Sequence, residues 1–281
     1  MTPARIQQLL RDQIALTRDH HAANRFPLEV DERPVGSVTL ADAQLIAGQV
    51  AGVMWTEQVL SVRPVCSPDA PAVFDAIAQT LRAAGRTGRW RNEKLPVLTD
   101  DGSLVGAIER ACARRLGIRT IAVHLVGMIG PTQAGELPQA LWLQRRAADK
   151  DVDPGRLDTL AGGLVGMSAD GRAMEDLPTA LAREVHEEAG LSPGQYARPR
   201  SVGSWRAQRH LPEGWMVEDM IIFRSHLDPN TTPVNRDGEV SEFIRVDRDS
   251  LGDRIEAGEL TIAAAIATLM SLQDILDGRG A

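Results

Sequence analysis

Apolar residues recur along the chain in two rhythms. Ile6, Leu9, Leu10, Ile14 and Leu16 return at three-to-four spacing and predict a helix over residues 2–19. "RFPLEVDERPVGSVTL" alternates in two short runs about Asp31 to Pro34 and predicts a hairpin. "DAPAVFDAIAQTLRAAGR" predicts an amphipathic helix, with Pro71 near its start and Gly85 near its end. "WRNEKLPVLTDDGSLVGAIERACARRLGI" predicts a short extended piece, a turn at Asp100-Asp101-Gly102 and a helix ending near Gly117. From Arg119 the texture changes. "RTIAVHLVGMIG" and "ALWLQRRA" alternate as strands, and the turn-rich "PTQAGELPQ" between them suggests a hairpin. An irregular glycine-rich passage, "DPGRLDTLAGGLVG", precedes a helix over about 177–189, with Asp176 as cap, Pro178 in its first turn and Gly190 at its exit. "MVEDMIIFRSHL" and "VSEFIRV" predict strands, and "LTIAAAIATLMSLQDIL" a closing helix. The expected organisation is an α+β domain over residues 1–118 and a second, α/β domain over 119–281.

Length and charge narrow the function. A chain of 281 residues suits two domains better than one. A net charge of −7 argues against a nucleic-acid backbone as main partner, but leaves phosphorylated small molecules open, because a metal ion reverses the local sign. No apolar window has the length of a membrane span, and the charged start lacks the apolar run of a signal peptide. Cys66 and Cys112 stand far apart and read as reduced thiols, so the expected address is the cytoplasm.

"AREVHEEAG" (182–190) crowds Glu184, Glu187 and Glu188 into about a third of a helix circumference, with His186 pointing elsewhere. Like charges at that spacing repel, so the cluster is either a solvated face or a site that expects a cation. Arg183 is adjacent and stands i,i+4 to Glu187. Glu175 lies one turn before the helix, and "AGGLVG" supplies bare backbone for a close approach. Hard oxygen ligands of this kind suit Mg²⁺ or Mn²⁺.

At these residues the sequence resembles the Nudix hydrolases, whose box reads G-x5-E-x7-R-E-U-x-E-E-x-G-U with U aliphatic. Glu175, Arg183, Glu184, Val185, Glu187, Glu188, Gly190 and Leu191 match. Ala169 stands at the first glycine, with Gly162-Gly163 further upstream and "MSADGR" read as a lengthened loop. "WRNEKLPV", "IERACARRLGI", "DPGRLDTLAGGLVG" and "PVNRDGEVSEF" are similar to the Nudix proteins that carry an extra N-terminal domain, relatives of which are joined to thiamine pyrophosphokinase in fungi. The resemblance implies a Nudix α/β/α sandwich with a mixed sheet, preceded by a smaller α+β domain. It also implies Mg²⁺-dependent hydrolysis of a small diphosphate, thiamine diphosphate or its oxidised or damaged forms. Glu184, Glu187 and Glu188 become metal ligands, with the Gly163 carbonyl a further candidate. Arg183 would hold the glutamates, and Glu239, beside Gly238 in "NRDGEVSEF", would be the general base. Catalytic roles thus fall to Glu187, Glu239 and Arg183.

Arg145, Arg146, Lys150 and Arg156 are candidates to hold the diphosphate. Trp90, Trp142, Trp205 and Trp215 are candidates to stack on an aromatic ring, weighed against the commoner role of tryptophan in cores. His124, in an alternating strand, reads as a satisfied core histidine. Rival readings are an ADP-ribose or nucleoside polyphosphate hydrolase, an isopentenyl-diphosphate-type isomerase and a ligand sensor without turnover. ADP-ribose enzymes tend to carry a proline at the position of Trp205. The isomerase would need a cysteine near the glycine motif, where neither Cys66 nor Cys112 stands, and sensors often lose box glutamates that this chain keeps. Residues 1–118 are left open between shaping the substrate pocket, mediating a homodimer and capping the site.

Overall fold

The hairpin expected about residues 31–34 forms from β1 (Arg25–Val30) and β2 (Arg33–Thr39), with Asp31 and Glu32 at positive φ in the two-residue turn. The computed structural model describes residues 1–18, 24–63, 70–130 and 135–278, apart from the side chains of 70 and 71. Cys66 lies outside the described residues, as do residues 131–134 of "PTQAGELPQ". Thr39 caps the next helix, α2 (Leu40–Gln49), by accepting from the Asp42 amide. Strands β3 (Val53–Trp55) and β4 (Leu60–Val62) complete a four-stranded sheet of order β2-β1-β4-β3.

Helix α3 (Ala70–Ala83) matches its amphipathic pattern. The stretch after it departs from expectation. Residues 104–117 do not form one helix: β5 (Lys94–Leu98) pairs antiparallel with β6 (Leu104–Glu109), and only α4 (Arg110–Ala113) is helical. The apolar spacing suits either form. Tertiary packing selects the strand, because Gly106 lies beneath the Phe74 ring, where a Cβ would overlap it. Leu28, Ile46, Leu60, Phe74, Ile77 and Ile108 meet in one core, which closes at Ile118.

A mixed sheet of seven strands builds the second half. β7 (Arg119–Ile129) and β8 (Ala140–Arg146) form the expected antiparallel pair. The glycine-rich passage is not irregular throughout, since it contains β9 (Leu157–Asp158) and β10 (Ala161–Leu164). β11 (Arg200–Leu211), which the sequence pattern does not announce, pairs with β12 (Gly214–His226), and β13 (Val240–Asp247) closes the edge. The order is β11-β12-β7-β8-β13, with β12 parallel to β7 and the rest antiparallel. Val123 and Leu125 point to one face and pack under α5 (Leu177–Ala189). Val126 and Met128 point to the other, under α7 (Ile262–Leu276). The result is helix, sheet, helix, with the short α6 (Arg248–Glu256) beside α7's layer.

Helix α1 (Pro3–Ala15) sits with this second half. Its Ile6 and Leu9 are buried in the same core as Leu269 and Leu272 of α7, so the expected grouping of all of residues 1–118 does not describe it. In the N-terminal core, the fully buried Asp42 is held by Arg86 at 2.8 Å and Arg115 at 2.7 Å. The two guanidiniums tie α2 to the segments after α3 and α4. Cys112 is buried, and burial pushes its thiol up to about 12. Among the described residues no helix is long and apolar enough to cross a membrane.

Candidate active site

One edge of β7 is divided. β12 runs along its other edge throughout, but here β10 pairs with Ala122–Leu125 and β8 with Gly127–Ile129. The carboxylate of Glu188 bridges the parting strands: its Oε2 accepts from the Gly162 amide of β10 at 2.8 Å and from Gln144 Nε2 of β8 at 2.8 Å. Helix α5 delivers it there. Asp176 accepts from the Thr179 amide, Pro178 sits in the first turn, and Gly190 leaves at φ 65°.

Glu188 is 2% exposed and Glu184 9% exposed, deep burial for two carboxylates one turn apart. Burial is the main reason that both are pushed upward, Glu188 to about 8, with the neighbouring Glu184 adding to the shift at Glu188. Arg183 opposes the rise at Glu184. Its guanidinium reaches Glu184 at 2.6 Å, Glu175 at 3.0 Å, Glu187 at 3.3 Å and the Leu164 carbonyl at 3.2 Å, tying helix, preceding loop and β10 together. Glu187 is half-exposed at the outer side of this knot.

The lengthened loop before α5 closes on itself. Gly171 donates to the Ser168 carbonyl at 2.7 Å, Ser168 donates to Ala173 at 2.8 Å, and Met167 bridges Met174. The chain then returns so that the Glu175 amide meets Gly166 at 3.0 Å. The residues around Ala169 are thus a self-contained turn, and the close backbone approach falls to Gly163, where a side chain would overlap the Glu184 carboxylate.

The loop before β13 supplies the third side. Asn235 accepts from the amides of Asp237 and Gly238, Asp237 accepts from the Glu239 amide, and Glu239 pairs with Lys150. Oxygens of Glu188, Asp237 and Glu239 lie within 4.8 Å of one another. Burial lowers Lys150, the attraction of Glu188 pulling it back.

These groups line a cavity with two adjoining lobes, which share Arg110, Arg114, Arg146, Lys150 and Glu218. Glu184, Glu188, Glu239 and Gly163 line the inner lobe. Of the basic candidates, Arg146 and Lys150 are therefore present. Arg145 instead pairs with Glu242 and the Gly155 carbonyl, and Arg156 stands beside Asp153. Neither of these two lines the cavity. Trp205 is also absent: its indole donates to Thr17 at 2.9 Å, Arg18 stacks over the ring, and it packs against the same apolar cluster as Leu10 and Ile14 of α1. The ring thus helps to seat the end of α1 and lines neither lobe. Trp90, Trp142 and Trp215 line neither lobe.

Arg110, Arg114, Arg209 and Gln144 escape sequence reasoning, because only the fold brings the α4 turn and the β11–β12 hairpin to the carboxylates. His124 belongs to the same lobe. Its Nδ1 lies 3.3 Å from the Thr159 hydroxyl, which also lies 3.1 Å from the Ala161 carbonyl. Its Nε2 has no hydrogen-bond partner among the described residues, so His124 is half-satisfied rather than a fully bonded core histidine.

Carboxylates facing guanidiniums across one cavity can hold hard cations on one wall and phosphates on the other. The NUDIX domain profile matches residues 119–261. The chain is similar to two Arabidopsis thaliana proteins, Nudix hydrolase 20, chloroplastic, at 31% identity and Nudix hydrolase 24, chloroplastic, at 30%, each over 175 residues and 60% of this chain. The matches span 43% and 44% of those relatives, under half of their length. The solved structure of DR0079 from Deinococcus radiodurans is 22% identical, covering 64% of this chain and 98% of that one, with a TM-score of 0.47. With the profile spanning half of the sequence, and the glutamate helix and its arginine at the centre of the match, the chain belongs to the Nudix family.

Proposed function

We propose that this chain is a divalent-metal-dependent pyrophosphohydrolase that cleaves a diphosphate linkage in a small phosphorylated molecule. The observation that carries the reading is the pair of buried carboxylates, Glu184 and Glu188, pressed against bare backbone at Gly162 and Gly163 and facing a wall of cations. Two acids buried so close together are costly without a metal ion, and their hard oxygen donors suit Mg²⁺ or Mn²⁺. Glu184, Glu187, Glu188 and the Gly163 carbonyl would hold the ion. Bound there, it would neutralise phosphate charge and lower the pKa of a water.

The chain's own groups do the rest. Arg183 fixes Glu184 and Glu187 while leaving Glu188 to be oriented by Gln144 and Gly162. Glu239, held by its loop and by Lys150 close to Glu188, would take a proton from the attacking water. Arg146, already tied to Asp158 at 2.9 Å, offers a pre-oriented guanidinium to phosphate oxygens.

The finer reading, a thiamine-type diphosphate, is supported by sequence resemblance outside the box. Stacking lends it nothing, because none of the four candidate tryptophans lines the cavity. ADP-ribose and nucleoside polyphosphates therefore stand beside it as substrates. A reducing compartment such as the cytoplasm fits the buried, unpaired Cys112.

The test is hydrolysis with Mg²⁺, followed by separating and identifying the phosphorylated products, across thiamine diphosphate, its oxidised and oxy analogues, ADP-ribose and nucleoside triphosphates, with Glu188→Gln beside each. Metal-dependent turnover lost in the variant is expected. Preference for nucleotides discards the thiamine reading, and a wild type inert toward every diphosphate overturns the hydrolase reading.

A further inference from the structure

Five cations line the inner lobe, and four of them are engaged. Arg110 is bound to Glu93 at 2.6 Å, Arg146 to Asp158 at 2.9 Å, Arg209 to Asp153 at 3.3 Å, and Lys150 to Glu239. Arg114 is the exception. It lines both lobes, is half-buried, and makes no side-chain hydrogen bond or ion pair among the described residues. Glu213 and Glu218 line the outer lobe with it, and neither closes a salt bridge to it.

Its backbone is nonetheless fixed. The Arg114 carbonyl accepts from the Gly117 amide at 3.1 Å and from the Trp215 amide at 2.9 Å, joining the end of α4 to the β11–β12 hairpin. At Gly214 a Cβ would overlap that same carbonyl, so the hairpin approaches as closely as a glycine permits. A guanidinium on an anchored backbone, set at the junction of the two lobes and bonded to no carboxylate among the described residues, is arranged for an anion brought from outside.

We propose that Arg114 is an anion-binding residue of the substrate subsite beside Arg146, taking the oxygens of the diphosphate that face away from the acidic wall. Resting on the hydrolase reading above, this makes the N-terminal half a part of the substrate site. The ligand class is a small-molecule diphosphate, gripped by carboxylate-held metal on one side and by Arg114 on the other.

Methylenediphosphonate, which cannot be hydrolysed, serves as the probe in calorimetric titrations with Mg²⁺, using wild type, Arg114→Ala, Arg114→Lys and Arg11→Ala. Arg11 is exposed on α1 and serves as a control for lost charge. Arg114→Ala should bind the probe about ten- to a hundred-fold more weakly, with Arg114→Lys recovering part of the loss and Arg11→Ala matching wild type. Unchanged thermal unfolding of Arg114→Ala guards against a folding defect. On any substrate turned over, Arg114→Ala should raise KM more than it lowers kcat. Turnover with unchanged probe affinity in Arg114→Ala overturns the subsite and leaves the hydrolase standing. Probe binding that depends on Arg114 without turnover of any diphosphate supports the subsite and removes the hydrolase. A wild type that does not bind the probe overturns the subsite.

Discussion

Gly163 and Glu184 occupy space that only a glycine allows: any side chain on β10 at that point would overlap the carboxylate of α5. The strand gives up its side chain so that the acid can lie against bare backbone. Gly163→Ala should displace Glu184 from its place beside Arg183. Mn²⁺ affinity is expected to fall at least about tenfold, the scale of losses when a ligand's support is removed. Gly166→Ala, where a Cβ meets nothing closer than 3.6 Å, should bind as wild type. Equal affinities in both variants would remove the packing argument.

Glu188 ties stability to pH. Burial raises its carboxyl to about 8 in the folded chain, above the usual carboxylate range. For a raised group, stability is fully present below the unfolded value and is lost as pH rises through the folded one. Metal-free protein should therefore show a Tm that falls from about pH 5 to about pH 9, while metal binding tightens and releases protons. Thermal scans of wild type and Glu188→Gln check this, and the variant should flatten the slope. An equal slope in both would place the titration elsewhere.

Asp42 is the corresponding lever in the N-terminal core. Burial pushes its carboxyl upward, but Arg115, Arg86 and Thr39 together outweigh that and hold it below the usual range. Its contribution is present above the unfolded pKa and is lost as pH falls through the folded one. Asp42→Ala leaves Arg86 and Arg115 without their carboxylate and should cost about 3–5 kcal/mol in urea unfolding. A cost below about 1 kcal/mol would show that the pair behaves as a surface ion pair.

Trp205 separates a structural role from a binding one. Its ring packs against the same cluster as Leu10 and Ile14, and its indole holds Thr17. Trp205→Ala should lower stability by about 2–4 kcal/mol and leave KM for any diphosphate within about twofold. A raised KM at unchanged stability would return the ring to the substrate site.

What the sequence shows depends on how local each signal is. Helix α5 is fully readable because its cap, first-turn proline, exit glycine and box residues all lie within one short stretch. The β1–β2 hairpin is readable for the same reason. β6 is not: Leu104 and Ile108 sit at helical spacing, and only pairing with β5 and the ring over Gly106 make the stretch extended. β11 escapes because polar residues dominate "RSVGSWRAQRHL", and its apolar contacts come from α1 and α7. The site divides likewise. The carboxylates and Arg183 are visible as a motif, whereas Arg114 acquires meaning only from the hairpin that clamps its carbonyl and the cavity that it lines. Arg145 and Arg156 have the right charge near the right passage, but neighbouring carboxylates and a carbonyl occupy them instead.

The divalent-metal centre proposed at Glu184 and Glu188 underlies every catalytic role assigned above. The most direct measurement is a Mn²⁺ titration of metal-free protein followed by electron paramagnetic resonance, with Glu184→Gln and Glu188→Gln alongside. Stoichiometric binding is expected in the wild type, competed by Mg²⁺ and weakened at least about tenfold in each variant. Mn²⁺ binding of equal strength in all three proteins, or none in the wild type, would contradict the proposed centre.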